Sequence, residues 1–413
     1  MTATATKAKT EQGGELEAFR AEVRAWLADH FPASLKGVTP AMEGRGADQL
    51  SPEMAAWRDA LAERGWGAPH WPQEYGGAGL DHAHVRALAQ EMGRARAINP
   101  IPLLAGMGVT MVGPTILEYG TEEQKQRHLP GIASGKVRWC LGLSEPNAGS
   151  DLASLSTLAE DRDDHFVVNG QKIWTSGADI SQWCGALVRT DKSVAKHKGI
   201  SFLMLPMDQP GVRTRPIRLI SGASPFCETF FDDARAEKDD LLGELNDGWN
   251  VIKRLLQHER ASQTSAAGPG GRSKPEALYD IAKRYVGVDA EGRLDDPDLR
   301  GRLTRHLMDA AAHKLTAERI AAEARGNPEV SAAASIMKNS ATGIAQARSE
   351  LTLEIMGQQG LGWEGETFDD DELATVREWL WGKAISIYGG SAEVQKNIIS
   401  KNILGLPETT QKG

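Results

Sequence analysis

The sequence predicts an α+β protein in which a helical region, a β region and a second helical region follow one another. Apolar residues recur at helical spacing through most of the first 130 or so positions, as between Leu16 and Leu27. From about residue 137 to 242, short alternating runs bounded by Gly, Pro and Asp indicate strands, arranged as a barrel or a sandwich. Helical spacing returns at Gly248 and continues to about residue 404.

The first region is predicted to contain several helices after a loose tail over residues 1–14. The helix candidates are 16–31, 54–65, 82–97, 104–119 and 121–129. The segment GWGAPHWPQEYGGAGLD (65–81) is expected to be an ordered loop, because its large aromatic rings seek burial. Its GGAG string lacks the spacing and the Lys-Ser of a phosphate loop, so turn geometry explains it better.

The stretch from Trp139 to Ser176 combines a strand, a turn and a second β segment. Its first part, WCLGLSEPNAGSD, alternates apolar and small residues until Glu145, Pro146 and Gly149 break the strand. In FVVNGQKIWTS, the Asn169-Gly170 pair predicts a two-residue hairpin turn. Trp174 then offers a flat apolar face beside hydroxyls, which suits a wide aromatic ligand; the alternative is a partly buried surface tryptophan.

The second helical region is interrupted at 266–275, 287–300 and 326–328. Its alanine-rich spans 310–325 and 331–347 predict long helices whose small residues permit close contacts. No tandem repeat or long low-complexity segment occurs in the 413 residues.

Composition restricts the classes of partner. The net charge of −9 argues against a protein that binds nucleic acid through its phosphates. Three widely spaced cysteines indicate neither a disulfide framework nor a metal site, and they fit a reducing compartment. The polar N-terminus does not resemble a secretory signal, and no run approaches the roughly 20 apolar residues of a membrane helix. We therefore expect a soluble cytoplasmic protein without a membrane partner.

Two motifs resemble a known family. SEPNAGSD followed by NGQKIWTS is similar to the flavin-binding signature of the acyl-CoA dehydrogenases, and IYGGSAEVQKNIISKNILGLP at 387–407 resembles their C-terminal signature. The likeness extends from about residue 15 to about 407, with the motifs in the family's order. It implies a helical domain (1–136), a middle β-barrel (137–242) and a C-terminal four-helix bundle (243–413).

The resemblance also implies a function in fatty acid metabolism and lipid degradation. FAD would accept a hydride from Cβ of an acyl-CoA while a base removes the α proton, and electrons would pass to an electron-transfer flavoprotein. Many members carry the base directly after the tyrosine of the C-terminal signature, but here Gly389 follows Tyr388. A second version of the family has a Glu-Arg pair on the first bundle helix, which Glu259 and Arg260 match.

Glu259 is therefore the candidate base. From the residues alone, a solvated helical glutamate paired with a neighbouring cation is at least as good an interpretation. The neighbouring His258 could tune the base, although a lone histidine is more often structural. The backbone amide of Gly389 is the candidate donor to the thioester oxygen, together with a flavin ribityl hydroxyl.

Further contacts follow from the resemblance. Ser150 and Arg260 match substrate-contacting positions, although Ser150 could instead cap its turn. An Arg-Phe-Gly string that many members direct to the partner subunit's flavin pyrophosphate is missing from 275–310, and Arg302 and Arg305 are poor substitutes. The candidate FAD contacts are Leu141, Leu143, Ser144, Trp174, Ser176, Gly357, Gln358, Ser391 and Glu393.

Three functions remain open from the sequence. The first is an FAD-dependent acyl-CoA dehydrogenase, as a homotetramer. The second is one subunit of an α2β2 heterotetramer, which even a non-catalytic chain could form. The third is a flavin monooxygenase on the same fold, which the His-Glu-Arg string at 258–260 disfavours because such enzymes lack the base. The displaced base, the Gly-Gly-Ser signature and the missing Arg-Phe-Gly string together resemble bacterial members that act on unusual acyl chains, such as dicarboxylic or steroid-derived ones.

Overall fold

The computed structural model describes residues 3–38, 50–264, 277–323 and 333–407, with the backbone alone in 3–13, 260–264 and 321–323. The predicted breaks at 266–275 and 326–328 therefore lie outside the described residues. Contacts within the chain divide it into two units, 1–218 with 224–273 and 219–223 with 274–413. The described helices and strands follow the predicted order of helical, β and helical regions.

The first unit begins with helices α1 to α6, continues with seven strands and ends with α7. Segment 108–112 between α4 and α5 is π-helical. The helices are α1 (Ala3–His30), α2 (Pro52–Glu63), α3 (His82–Ala95), α4 (Ile101–Leu104), α5 (Gly113–Tyr119), α6 (Glu122–Ala133) and α7 (Gly248–Thr264). The strands are β1 (Trp139–Gly142), β2 (Leu158–Asp161), β3 (His165–Ser176), β4 (Trp183–Arg189), β5 (Ile200–Pro206), β6 (Val212–Ile217) and β7 (Phe226–Glu237).

The seven strands form one curled sheet in the order β1-β4-β2-β3-β7-β6, with β5 also paired to β4. β1 and β4 run parallel, whereas β3 and β7 form a long antiparallel pair. One face of the sheet shares a hydrophobic core with the N-terminal helices and α7, to which Phe202 and Leu255 both contribute. The sheet's other core contains the three cysteines, all buried free thiols.

The ordered loop at 65–81 is confirmed. Trp66, Trp71 and Tyr75 are 2%, 1% and 6% exposed. A Cβ on Gly77 would lie 2.1 Å from the carbonyl oxygen of Trp71, so glycine is required there for close backbone approach. The GGAG string therefore serves packing and turn geometry.

The predicted hairpin turn at Asn169-Gly170 is wrong. Both residues lie inside β3, which runs unbroken between β2 and β7. Asn169 instead exchanges hydrogen bonds of 2.9 Å with the side chain and the amide of Asp233, at an irregularity in β7. Gly170 is needed because a Cβ there would lie 2.5 Å from Oγ1 of Thr157. Asn169 and Gly170 therefore serve contacts between β3 and its neighbours rather than a turn.

The second unit contains five helices among the residues described. Leu278, Leu303, Leu351 and Ile355 belong to its core. None of the helices described in either unit combines the length and the apolar character that crossing a lipid bilayer requires. The helices of the second unit are α8 (Leu278–Tyr285), α9 (Pro297–Glu323), α10 (Ala333–Met356), α11 (Asp370–Gly382) and α12 (Ala392–Asn402).

Candidate active site

A buried ion pair holds the turn that follows β1. Lys172 of β3 donates from Nζ to Oε1 of Glu145 at 2.9 Å and to the carbonyl oxygen of Leu143 at 3.1 Å. Glu145 also accepts from the amide and hydroxyl of Ser156, at 2.7 and 2.8 Å, and from the amide of Thr157 at 2.9 Å. These bonds join the turn, β3 and the segment leading to β2.

Both charged groups of this pair are removed from water, since their side chains are 0% and 5% exposed for Lys172 and Glu145. Burial alone would raise the pKa of Glu145, but the Lys172 charge and the surrounding hydrogen bonds outweigh it and lower the pKa to about 2. Burial lowers the pKa of Lys172 against the opposing pull of Glu145. With the carboxylate ionised at neutral pH, we regard the two groups as an ion pair.

The end of β1 and the turn after it carry several of the predicted FAD contacts. Leu141, Leu143 and Ser144 are half-buried, and the carbonyl oxygen of Ser144 accepts from the amide of Ile173 at 2.9 Å. Ser150 lies exposed farther along the turn. The segment is therefore bonded to β3 at both its side chains and its backbone.

Trp174 has a strained backbone and an exposed ring. Its φ of 60° lies in the left-handed region, which is an outlier for a bulky residue. The register of β3 against β7 shifts between Lys172 and Thr175, so Trp174 lies in a β-bulge. The residue is 52% exposed, and its ring meets that of Phe226 edge-on, with centroids 6.0 Å apart. The bulge thus projects an aromatic face from the sheet, with half-buried Ser176 two residues on.

Replacing Trp174 with glycine tests whether this strain serves ligand binding. Glycine adopts a positive φ freely, so relief of roughly 1–3 kcal/mol of strain offsets the lost ring contacts. We expect the thermal midpoint of the flavin-free protein to stay unchanged or rise, while the FAD dissociation constant increases by about tenfold as stacking is lost. Trp174→Phe is the control that keeps both strain and stacking. Undiminished FAD affinity in the glycine variant would show that Trp174 does not contribute to FAD binding.

Glu259 lies on the inward side of α7. Val251 and Leu255, eight and four residues earlier, are fully buried, and residues four apart share a helix face. Arg254 and Gln257 are exposed on other faces, whereas Glu259 is half-buried. The helix packs against β5 and α5. Glu259 therefore lies at the edge of the buried face of α7, partly withdrawn from water.

His258 belongs to a charged group between α5 and α7. Its Nε2 lies 3.4 Å from Oε1 of Glu118. The Glu118 carboxylate accepts two hydrogen bonds from Arg254, at 2.6 and 2.7 Å. Burial lowers the pKa of His258 although Glu118 pulls it upward. The position of His258 is thus fixed by its contacts with α5.

In the second unit, the loop of the C-terminal signature contains two consecutive glycines in left-handed conformation. Gly389 and Gly390 have φ angles of 65° and 85°. Within the parts of the chain that the structure describes, the amide of Gly389 donates no hydrogen bond, and the residue is exposed. The loop therefore presents an open backbone donor.

The remaining predicted contacts of this unit lie at helix ends. Gly357 and Gln358 are exposed directly after α10, and Gly357 has a φ of 57°. The hydroxyl of Ser391 caps α12 by accepting from the amide of Val394 at 3.3 Å, and Glu393 is exposed in the first turn. Helix N-termini and left-handed glycines both suit phosphate oxygens.

Comparison with known proteins decides the family. The family model of the acyl-CoA dehydrogenase N-terminal domain matches residues 13–136, that of the middle domain 140–234 and that of the C-terminal domain 246–404. The chain belongs to the acyl-CoA dehydrogenase family. Members are FAD-dependent oxidoreductases of lipid degradation with helical N- and C-terminal domains around a curled sheet, and this chain has that architecture.

Individual relatives span almost the whole acyl-CoA dehydrogenase chain. Acyl-CoA dehydrogenase IpdE1 of Mycobacterium tuberculosis is 39% identical over 401 residues, covering 95% of this chain and 98% of that one. The solved structure of the Tcur3481-Tcur3483 steroid ACAD is 30% identical with a TM-score of 0.75, covering 96% of this chain and 98% of that one. The ChsE4-ChsE5 complex from Mycobacterium tuberculosis is 29% identical with a TM-score of 0.71, at the same coverage.

The residues present fit FAD, the cofactor of this family. The bulge that exposes Trp174 provides a stacking surface in the first unit, and the exposed Gly357, Gln358 and Gly389 present backbone in left-handed or helix-end conformation in the second. In the first unit, Leu141 lies in β1, Leu143 and Ser144 lie in the turn after it, and Trp174 and Ser176 lie in β3. Gly357, Gln358, Ser391 and Glu393 lie in the second unit with Gly389. The side chain of Arg260 lies outside the described residues.

Sequence reasoning missed the ion pair of Glu145 and Lys172. The signal was available in β3, because Lys172 has the same alternation phase as the buried residues Phe166 and Val168. A lysine on the core-facing side of a strand is stable only when a buried carboxylate pairs with its charge. The two residues support the turn of this acyl-CoA dehydrogenase rather than facing a ligand.

Proposed function

We propose that this chain oxidises an acyl-CoA thioester to the 2,3-enoyl-CoA, using FAD, and passes the electrons to an electron-transfer flavoprotein. Glu259 takes the α proton onto its carboxylate, and the amide of Gly389 donates to the thioester oxygen as negative charge develops there. FAD, when bound, supplies the acceptor for the hydride that leaves Cβ. The carbon–carbon double bond forms as the two hydrogens depart.

The observation that carries this proposal is the position of Glu259. Glu259 is half-buried and lies four residues after the fully buried Leu255, so it shares the face of α7 that packs against the core of the first unit. The helix thus offers a carboxylate that is partly withdrawn from water, where a general base can act on an α proton.

A second observation supports the oxyanion donor. A glycine at 389 retains the backbone amide that the family uses, and its left-handed φ of 65° leaves that amide without an acceptor among the described residues. A preorganised donor of this kind is typically worth a factor of about a hundred or more in rate. The loss of the usual glutamate therefore leaves the donor in place.

The test is anaerobic mixing of the FAD-loaded protein with short, long, dicarboxylic and steroid-derived acyl-CoA thioesters. Bleaching of the flavin absorbance by one class would identify the substrate. The steroid class belongs in the panel because a similar solved protein is named a steroid ACAD. Absence of bleaching with every class, in protein that carries FAD, would contradict the proposed oxidation.

A second candidate is that this chain is one subunit of a two-chain α2β2 enzyme, rather than of a homotetramer. The guanidinium of Arg302, the nearest substitute for the missing Arg-Phe-Gly arginine, is bound bidentately by Glu354 and lies 3.6 Å from Asp298. Two carboxylates within its own unit neutralise it, so it is a poor ligand for the flavin pyrophosphate of another subunit. Both solved structures named above are described by two chain names.

Purification of the chain alone and with a co-expressed second chain distinguishes these assemblies. If another chain supplies the pyrophosphate-binding cation, the protein alone should be colourless and should acquire flavin only in the mixed complex. A yellow homotetramer that bleaches with an acyl-CoA would contradict the two-chain assembly and leave the proposed oxidation intact. The measurements are the visible spectrum and the mass of the assembly in solution.

A further inference from the structure

The carbonyl groups of the signature loop are held by two side chains. Lys338 of α10 donates from Nζ to the carbonyl oxygen of Tyr388 at 2.9 Å and to that of Gly390 at 2.6 Å. Gln395 of α12, which is 6% exposed, donates from Nε2 to the carbonyl oxygen of Gly389 at 3.1 Å. Three consecutive carbonyls are thus bonded by side chains, and all the residues involved lie in the second unit.

The first of these bonds determines where the amide of Gly389 points. The carbonyl of Tyr388 and the N–H of Gly389 belong to one planar trans peptide group, in which they point in opposite directions. A donor that holds the carbonyl on the α10 side therefore directs the N–H away from α10. The φ of 65° at Gly389 is available to glycine at little cost, so the backbone alone does not determine this orientation.

The same bond strengthens the donor. Hydrogen bonds along a chain polarise one another, and a bond from an ammonium group is stronger than one from a neutral donor. The positive charge of Lys338 withdraws electron density from the carbonyl of Tyr388 and makes the attached N–H of Gly389 a better donor to an oxyanion. The charge acts through one peptide group without touching the ligand.

We propose that Lys338 is a positioning residue for the thioester oxyanion: it aims and polarises the Gly389 amide by holding the Tyr388 and Gly390 carbonyls. This inference rests on the proposed function, because it needs a thioester oxygen at that amide. Gln395 assists by fixing the next peptide group. A Cβ at Gly390 would lie 2.5 Å from Nε2 of Gln395, so a side chain there would displace this amide from its bond.

The experiment compares Lys338→Met, Lys338→Arg and the control Lys283→Met in the FAD-loaded protein, with the partner chain where one is required. Methionine has nearly the length of lysine but donates no hydrogen bond, whereas arginine keeps the positive charge and can donate to both carbonyl oxygens. Lys283 is an exposed lysine of the same unit that pairs with Asp280 at 2.7 Å. We expect Lys338→Met to slow flavin reduction at saturating substrate by about tenfold to a hundredfold with little change in KM, and the other two variants to stay close to the parent.

Two further readouts separate positioning from general damage. An acyl-CoA analogue with sulfur in place of Cβ loses its α proton but cannot transfer a hydride, so its long-wavelength absorbance reports enolate stabilisation; Lys338→Met should weaken it. In the flavin-free chain, hydrogen exchange of peptides spanning 384–395 should accelerate in Lys338→Met but not in Lys283→Met. If Lys338→Met does not fold, Lys338→Gln replaces it. Glutamine keeps a neutral N–H donor group on a shorter side chain, so the loss of enolate absorbance and the faster exchange should both be smaller.

The outcomes are distinct. Parental reduction rate and enolate absorbance in a folded Lys338→Met protein would overturn the role of Lys338 while the proposed oxidation stands. Absence of flavin reduction in the parent protein with every acyl-CoA would overturn the oxidation and this inference with it. A slower Lys338→Met variant with unchanged enolate absorbance and unchanged loop exchange would also overturn the positioning role.

Discussion

Glu259→Gln is expected to abolish reduction of bound FAD by a good acyl-CoA substrate. Glutamine has the size of glutamate and can still hydrogen bond, but it cannot accept the α proton at neutral pH. Loss of a general base typically lowers the rate by a factor of about 10² to 10⁴. Here hydride transfer also requires removal of the α proton, so flavin reduction should stop. Anaerobic stopped-flow absorbance measures the effect, with the visible spectrum showing that FAD is retained.

The matched control for this variant is Glu350→Gln on α10. Glu350 is an exposed carboxylate that pairs with Lys383 at 2.6 Å, so its loss should leave the rate of flavin reduction and the thermal midpoint near the parent values. A parental rate in Glu259→Gln would eliminate the assigned base. The chain would then be better understood as the non-catalytic member of a two-chain enzyme.

Lys172→Met is expected to lower the free energy of unfolding more than any other substitution proposed for this chain. Removing the ammonium leaves the buried carboxylate of Glu145 without its cation, and breaking a buried ion pair in this way typically costs roughly 3–5 kcal/mol. The turn that carries Leu143 and Ser144 also loses a tie to β3, so FAD binding should weaken in whatever protein folds. The measurement is the free energy of unfolding from denaturant titration.

Two variants control this result. Lys196→Met removes an exposed pair with Asp151 of nearly the same length, 2.8 Å, and should cost no more than about 1 kcal/mol. Adding Glu145→Gln to Lys172→Met should recover part of the loss, because no uncompensated charge then remains buried. Equal effects of Lys172→Met and Lys196→Met would show that the buried pair has no special role.

The ion pair of Glu145 and Lys172 should also make the free energy of unfolding depend on pH in the acid range. The pKa of Glu145 is lowered from its ordinary 4.5 to about 2 in the folded chain. Its contribution, on the order of 3 kcal/mol, is therefore fully present above about pH 4.5 and is lost as the pH falls toward 2. Unfolding free energies of the parent and Glu145→Gln should converge over that interval.

Segment-level features were predictable from sequence because they depend on nearby residues. Thr121 and Gln124 form the capping box that starts α6, as the local sequence indicates. The aromatic loop at 65–81 is ordered because its rings had to be buried. By contrast, Asn169-Gly170 carries the local signal of a turn, but long-range pairing with β7 and the side chain of Asp233 override it.

Features of the candidate site were harder to predict because they depend on partners distant in sequence. Glu145 and Lys172 are 27 positions apart, and no periodicity pairs them. Glu259 was identified from a family resemblance, and the structure adds that it is half-buried, in phase with the buried residues of α7. The bonds of Lys338 to a loop 50 residues away follow only from the packing of α10, since nothing in its local sequence distinguishes it from other lysines.

The left-handed glycine at 389 has a consequence for substitution. An L side chain at this position would have to adopt a backbone conformation that costs roughly 1–2 kcal/mol. A glutamate introduced at 389 would therefore either lower the stability of the second unit by that amount or force the loop backbone to relax, which would turn the amide away from its present direction.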